Sequence, residues 1–283
     1  MTTAPRAALN PSMLLAEVEY ARPSSIDEAL RLLSAHEGAR PLAGGQTLTN
    51  VMKARAAAPD VLVDLAELDE LRRITRGADG ALVVGAMATY SDLIASADVA
   101  AARPILAVVA GQIADVQVRN RGTIGGNLCL SDPTNHLPPL IAAVGATMTI
   151  AGASGEREVV ADDFFLGVYM TAVAPDELLT KITLPSAERA ADGFAAVTIG
   201  RDGTCIVNAA ATVLDGQATV AVGCVGAVPV VVRAAADEDA VVGAIRGTAL
   251  EPPDDVHASA AYRRHLAEVL AARAVRQALE RSS

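Results

Sequence analysis

The period of apolar positions changes several times along this chain, and each change marks an element. Glu17-Val18-Glu19-Tyr20 reads as a short edge strand. Ser25-Ile26-Asp27-Glu28 has the form of a capping box, a hydroxyl and a carboxylate three residues apart, ahead of the apolar run Ala29-Leu30-Arg31-Leu32-Leu33. Gly38 ends that helix, and a short strand follows over 40–43. Residues 48–52 fit one or two helical turns. Val61-Leu62-Val63-Asp64-Leu65 is a continuous aliphatic run and predicts a buried strand. Segments 71–75 and 81–85 flank Ala78-Asp79-Gly80, an Asp-Gly hairpin signal. Residues 89–94 predict a short capped helix. Pro104 opens a longer one, with Ile105, Val108, Val109 and Ile113 on one face. Segments 146–151, 158–160 and 178–184 predict further strands, with a helix over 140–144.

The pattern changes again near Pro185. Residues 186–192 predict a linker. Strand-like runs follow over 195–199, 207–214, 218–224 and 228–232, then helices over 237–246 and 260–280. A sheet followed by helices indicates an α+β C-terminal unit. Residues 1–12 predict a loose tail.

Composition narrows the class. The 283 residues suffice for one large domain or two ordinary ones, and 52% are apolar, enough for a substantial core. A net charge of −10 opposes nucleic-acid binding, which needs a basic footprint. The uncharged stretch 133–155 raises the membrane question, but Pro138, Pro139, Gly145 and Gly152 break it into a loop, a short helix and a buried strand. Cys129, Cys205 and Cys224 are far apart, with no CxxC spacing and too few thiolates for an iron–sulfur cluster. Their odd number, with no secretory leader in the sequence, points to a reducing cytoplasm.

Two glycine-rich turns carry the candidate chemistry: Ala43-Gly44-Gly45-Gln46-Thr47 and Thr123-Ile124-Gly125-Gly126-Asn127. A backbone without Cβ atoms can approach a ligand closely and aim its N–H groups at an anion. One Gly-Gly pair is an ordinary turn; two predict a clamp on a diphosphate, with Gln46 and Thr47 adding side-chain donors. Arg119 and Arg121 flank the second turn. They either neutralise phosphate, pair with a partner, or are solvated; Lys53 and Arg55 read the same way. Asp132 either accepts from a ribose or forms an Asx turn before Pro133.

Leu42 to Thr47, Met52-Lys53-Ala54-Arg55, Gln117 through Asn127, Ser131-Asp132-Pro133 and Phe164 through Thr171 together resemble the FAD-binding medium subunit of molybdenum hydroxylases. That family includes the carbon monoxide dehydrogenase medium subunit and the xanthine dehydrogenase flavin domain. The resemblance runs from about Tyr20 to the last helix. It implies an α+β, two-subdomain FAD-binding fold of the vanillyl-alcohol oxidase and p-cresol methylhydroxylase type, over 13–187 with subdomains at about 13–70 and 71–187. A small α+β C-terminal domain over 193–283 follows.

It also implies site residues. His136 stands where many relatives carry an aspartate, and a neutral imidazole there can still meet the adenosine ribose. Leu178 and Leu179 match a region that lines the flavin through backbone atoms; by residue type both are core. Ile124 is the better candidate beside the isoalloxazine. Arg201 replaces a lysine, and Cys205 stands where an aromatic is common; by composition Cys205 is a small buried residue.

By resemblance, the chain is an electron-transfer flavoprotein subunit. FAD is expected to be non-covalent, since no His or Cys tether is recognisable. Molybdopterin and [2Fe–2S] clusters are expected only on a large and a small partner subunit, in a dimer of heterotrimers. Location is expected to be cytoplasmic, with membrane association only through the complex. A stand-alone FAD oxidoreductase of the same fold and a non-enzymatic phosphate-binding module are the alternatives. The substrate and the electron acceptor are not legible in this chain.

Overall fold

The computed structural model describes residues 15–200 and 203–282; the expected 1–12 tail and Arg201 lie outside the described residues. Three sheets organise the chain. The first is parallel, in the order β1-β3-β2: β1 (Glu19–Ala21), β2 (Ala39–Leu42) and β3 (Val61–Asp64). Helix α1 (Ile26–Ala35) buries Ala29, Leu30 and Leu33 against it. The capping box forms in altered shape. Ser25 Oγ accepts from the Glu28 amide at 3.2 Å, while Glu28 reaches the amide and hydroxyl of Ser24, both at 2.8 Å, instead of Ser25. Helix α2 (Leu48–Lys53) follows β2.

The second sheet is antiparallel: β4 (Ile74–Arg76), β5 (Leu82–Gly85), β6 (Thr147–Gly152), β7 (Gly155–Val160) and β10 (Leu178–Leu184), in the order β4-β5-β10-β6-β7. A 3-10 turn over Asp69–Arg72 takes the first part of the predicted 71–75 strand. The Asp79-Gly80 hairpin is present, with Gly80 at φ +80°.

Between β5 and β6 run α3 (Tyr90–Ala95), α4 (Ala97–Ala102), α5 (Ile105–Ala110), α6 (Val116–Arg119), α7 (Ile124–Leu130) and α8 (Leu137–Val144). Thr89 caps α3 in a full capping box with Asp92. The long helix expected from Pro104 stops at Ala110. Ala114 turns to φ +43°, and Asp115 caps a new helix by accepting from the Val118 amide at 2.8 Å. After β7 come α9 (Ala161–Phe164) and a hairpin of β8 (Phe165–Gly167) and β9 (Met170–Thr171).

The third sheet is β11 (Ala190–Thr198), β12 (Cys205–Leu214), β13 (Gln217–Gly223) and β14 (Val230–Ala235), antiparallel in that order. Helices α10 (Glu238–Arg246) and α11 (Ala260–Ser282) cover one face with alanine, valine and leucine. Helix α8 covers the other, and all eight of its residues are buried. An isolated helix could not be apolar all round; this one lies between the third sheet and helices α5, α7 and α9. Burial of Leu137, Leu140 and Ile141 each contributes about 1.5–3 kcal/mol relative to exposure.

Strand β11 begins inside the segment predicted as a linker. Its Asp192 is buried, and the fully buried Arg103 grips it: Nε to Oδ2 and Nη2 to Oδ1, both at 2.7 Å. Arg103 also donates to the Pro185 carbonyl at 2.8 Å. This pair fastens the end of α4 to the third sheet.

Candidate FAD site

The two glycine-rich turns meet. The first leaves the C-terminal end of β2 and enters α2, with Gly45 at φ +71°. The second enters α7, where Thr123 Oγ1 caps by accepting from the Gly126 amide at 3.1 Å. A Cβ on Gly44 would lie 2.0 Å from the Arg121 carbonyl oxygen, and one on Gly126 would lie 3.6 Å from Ala43 Cβ. Gly44 is therefore required by backbone packing between the turns, before any ligand is considered. Gly125 is required for the same reason, since its Cβ would fall 2.6 Å from both Cβ and O of Ala86.

The turns differ in what they offer. In the second, Ile124 donates to the Ala88 carbonyl at 3.0 Å and Gly125 to the Ala86 carbonyl at 2.8 Å; Asn127 donates to the Thr123 carbonyl at 3.1 Å. With Gly126 bonded to its own cap, the expectation that amides 124–127 serve an anion is corrected: the fold already uses them. In the first turn, the amides of Gly44, Gly45, Gln46 and Thr47 donate no hydrogen bond among the described residues. That turn is partly exposed, whereas Thr123, Ile124, Gly125 and Asn127 are buried. Gln46 Nε2 bends back to the Gly44 carbonyl at 3.3 Å.

The second turn contributes a side chain instead. Asn127 Nδ2 donates to Tyr90 Oη at 2.9 Å, while its Oδ1 is buried with no partner. A buried carbonyl oxygen left without a donor costs about 1–3 kcal/mol. Its unmet need fits a ligand bearing N–H or O–H groups. Tyr90, which the sequence pattern did not single out, supports this residue: it is 5% exposed, and burial pushes its phenol up to about 12. A Cβ on Gly122 would lie 2.6 Å from its ring.

The remaining predicted residues separate. Asp132 forms the Asx turn: its Oδ1 accepts from the amide and hydroxyl of Thr134, at 2.9 and 2.8 Å. Its Oδ2 faces Tyr169 Oη at 3.4 Å. His136 is buried and engages the third sheet, not the turns. Its ring stands edge-on to Phe194 with centroids 5.4 Å apart, and its Nδ1 lies 3.2 Å from Asn208 Nδ2. Leu179 is a core residue of β10, 5% exposed and paired with Ile150. Arg119 donates to the carbonyls of Ile113 and Ala114, which turns it toward its own loop. Arg121 is exposed beside the meeting point of the turns.

Comparison with known proteins bears on this arrangement. Residues 16–187 match the family described as the FAD binding domain in molybdopterin dehydrogenase. The carbon monoxide dehydrogenase medium chain of Afipia carboxidovorans is 45% identical over 175 residues, which cover 61% of this chain and 60% of that one. The nicotine 6-hydroxylase medium subunit of Paenarthrobacter nicotinovorans is 33% identical over 292 residues, covering 94% of this chain and 99% of the relative. Among solved structures, a carbon monoxide dehydrogenase from Hydrogenophaga pseudoflava superimposes with a TM-score of 0.89 at 34% identity, over 96% of this chain and 100% of that one. The α+β architecture, the free amides of the first turn and the unpaired oxygen of Asn127 fit that cofactor. The chain belongs to the family of FAD-binding domains of molybdopterin dehydrogenases.

Proposed function

We propose that this chain is the electron-transfer flavin subunit of a molybdenum hydroxylase complex. Substrate is oxidised on a large molybdopterin subunit, and electrons arrive from [2Fe–2S] clusters on a small subunit. When bound, FAD supplies a carrier that takes up these electrons and releases them to an external acceptor. The assembly proposed is a dimer of heterotrimers. No helix among the described residues is long and apolar enough to cross a membrane.

The observation that carries this reading is the set of unbonded amides at Gly44, Gly45, Gln46 and Thr47 beside the buried, unpartnered Asn127 Oδ1. The amides bind the diphosphate, an anion an acidic chain must neutralise locally. Arg121 adds charge at the rim. Asn127 orients a donor of the cofactor, held in place by Tyr90. Residues 13–187 remain the FAD-binding domain, with 13–70 and 71–187 as the two halves around the cofactor, and the start of the C-terminal domain moves from 193 to Ala190, where β11 begins. Ala43, Thr123, Ile124, Gly125 and Gly126 shape the floor between the turns. Asp132 offers a ribose hydroxyl the oxygen it shares with Tyr169, while His136 and Leu179 act from behind, His136 beside the Asn208 amide that holds the Asn135 carbonyl.

Two measurements test this. The purified chain should quench added FAD fluorescence at one equivalent and release the flavin on acid denaturation; a chain that takes up none contradicts the site. Native purification should bring down a molybdopterin subunit and a ferredoxin-like subunit. Rapid flavin reduction in the isolated chain by an organic substrate would contradict the relay and favour a stand-alone oxidoreductase.

A further inference from the structure

Residues 131–136 run between α7 and α8, and hydrogen bonds fix both ends of this loop. At its start the Ser131 amide donates to the Leu128 carbonyl at 3.1 Å, not to Asn127. The Asn135 side chain serves the Asn127 carbonyl instead, with Nδ2 3.4 Å from the oxygen. Within the loop, Asp132 holds the Thr134 amide through Oδ1 at 2.9 Å and the Asn135 amide through its carbonyl at 3.0 Å. At the far end the tie is to the third sheet. Asn208 of β12 donates through Nδ2 to the Asn135 carbonyl at 3.1 Å, and the same nitrogen lies 3.2 Å from His136 Nδ1. Asn208, Asn135 and Asn127 thereby form one line of contacts from the third sheet to the residue whose buried Oδ1 has no partner.

The third sheet is built to hold this amide. Asn208 is fully buried, with Val207, Ala209, Ala210 and Ala211 around it in β12. Burying an amide among such groups is costly unless it is bonded. In the register of the sheet Asn208 stands opposite Ala196 on one side and Gly223 on the other, so the flanking strands leave it room. Gly223 is required there: its Cβ would lie 2.5 Å from Asn208 Oδ1 and 2.7 Å from Pro139 Cγ. The acceptors fix which way the amide points. The Asn135 carbonyl, His136 Nδ1 and, at 3.4 Å, Cys205 Sγ all converge on Nδ2, while Oδ1 has no partner. A reversed amide would set its oxygen against the Asn135 carbonyl. Phe194, from the same sheet, stands edge-on to the His136 ring and steadies it from β11.

We propose that Asn208 is a positioning residue for the flavin: it docks the third sheet on the 131–136 loop in one register, and so sets Asn127 and Asp132 at the cofactor. This rests on the flavin site proposed above. It carries cofactor positioning beyond residues 16–187, the stretch that matches the FAD-binding domain family, into the C-terminal unit. Asn208 acts only through Asn135 and His136. Without its donor the Asn135 carbonyl loses its partner, the loop is free to shift, and the Asn135 side chain leaves the Asn127 carbonyl. The packing of α8 and Phe194 still joins the sheet to the rest of the chain, so alignment is lost before the fold is.

The test uses the full chain. Asn208→Leu keeps the size of the side chain and removes the donor; Asn208→Ala is a second form of the same loss. Val220→Ala, fully buried on the face toward α11, controls for lost packing alone. In the flavin-free chain, amide hydrogen exchange at Thr134 and Asn135 should speed up in both Asn208 variants and keep the wild-type rate in Val220→Ala. FAD affinity should fall by about 5- to 30-fold in the Asn208 variants, the scale of one lost buried hydrogen bond. It should stay at the wild-type value in Val220→Ala, although the unfolding temperature of that variant falls. Combined with Asn127→Ala, Asn208→Leu should weaken binding by less than the product of the two single losses, because both act on one contact. Wild-type exchange at Thr134 and Asn135, an affinity loss shared by Val220→Ala, or losses that multiply would overturn the proposal. A wild-type chain that takes up no FAD would overturn the flavin site and this role with it, while the exchange rates still show whether Asn208 holds the loop.

Discussion

The two glycine-rich turns look alike in sequence and behave differently in the fold. The first sits partly exposed at the end of a parallel strand, with four successive amides unbonded. The second is buried, and its amides brace α7 against Ala86, Ala88 and Thr123. Glycine serves opposite ends in them. In the first, Gly45 provides the left-handed backbone that presents donors; in the second, Gly125 lets one backbone lie on another. A Gly-Gly pair therefore does not by itself mark where the ligand is held. The test is where each N–H goes.

The largest effect expected is from Gly125→Val. Its side chain would enter the Ala86 backbone, and overpacking of that kind costs about 1–3 kcal/mol or more. Thermal unfolding should fall by several degrees with or without flavin. Gly45→Ala meets Thr49 Oγ1 at 3.1 Å and Leu42 Cδ1 at 3.5 Å but must hold φ +71°, a strain of about 1–2 kcal/mol. It should weaken FAD binding more than it lowers the unfolding temperature. Equal loss of fold and affinity in both variants would erase the distinction between the turns.

Asn127→Ala comes next. It removes the unpartnered oxygen and the donor to Tyr90 Oη. FAD affinity should drop by about 5- to 150-fold, the equivalent of about 1–3 kcal/mol for one buried hydrogen-bonding group. Flavin titration of the folded variant checks this; wild-type affinity would reduce Asn127 to a structural residue.

The smallest effect is on pH dependence. Burial holds the Tyr90 phenol at about 12, above the ordinary 10. A group raised in the folded state adds stability that is intact below its unfolded value and is lost as pH rises through the folded one. Stability should therefore decline between pH 10 and 12, and Tyr90→Phe should flatten that decline. Denaturant midpoints across this range measure it.

Much of the fold was legible because local chemistry set it. Ser25, Thr89 and the Asp79-Gly80 pair each did what their types predict. What was hidden depended on distant partners. The change of composition near Pro185 made 186–192 look like a linker, yet Asp192 is buried in β11, where Arg103 reaches it from the first half of the chain. The helix after Pro104 continues as an apolar pattern past Ala110, but Asp115 offers a competing cap. At the site, the turns themselves were legible and their division of labour was not. The partners of Ile124 and Gly125 are carbonyls of 86–88, which no motif announces. His136 was likewise assigned by position in the motif, while its contacts are with Phe194 and Asn208 on a sheet read separately.

Amide hydrogen exchange, measured residue by residue with and without FAD, tests the central claim most directly. The amides of Gly44 to Thr47 should exchange fast in the free chain and become protected when flavin binds. Those of Ile124 to Asn127 should already be slow and change little. Slow exchange at the first turn before flavin is added, or new protection confined to the second, would contradict the account.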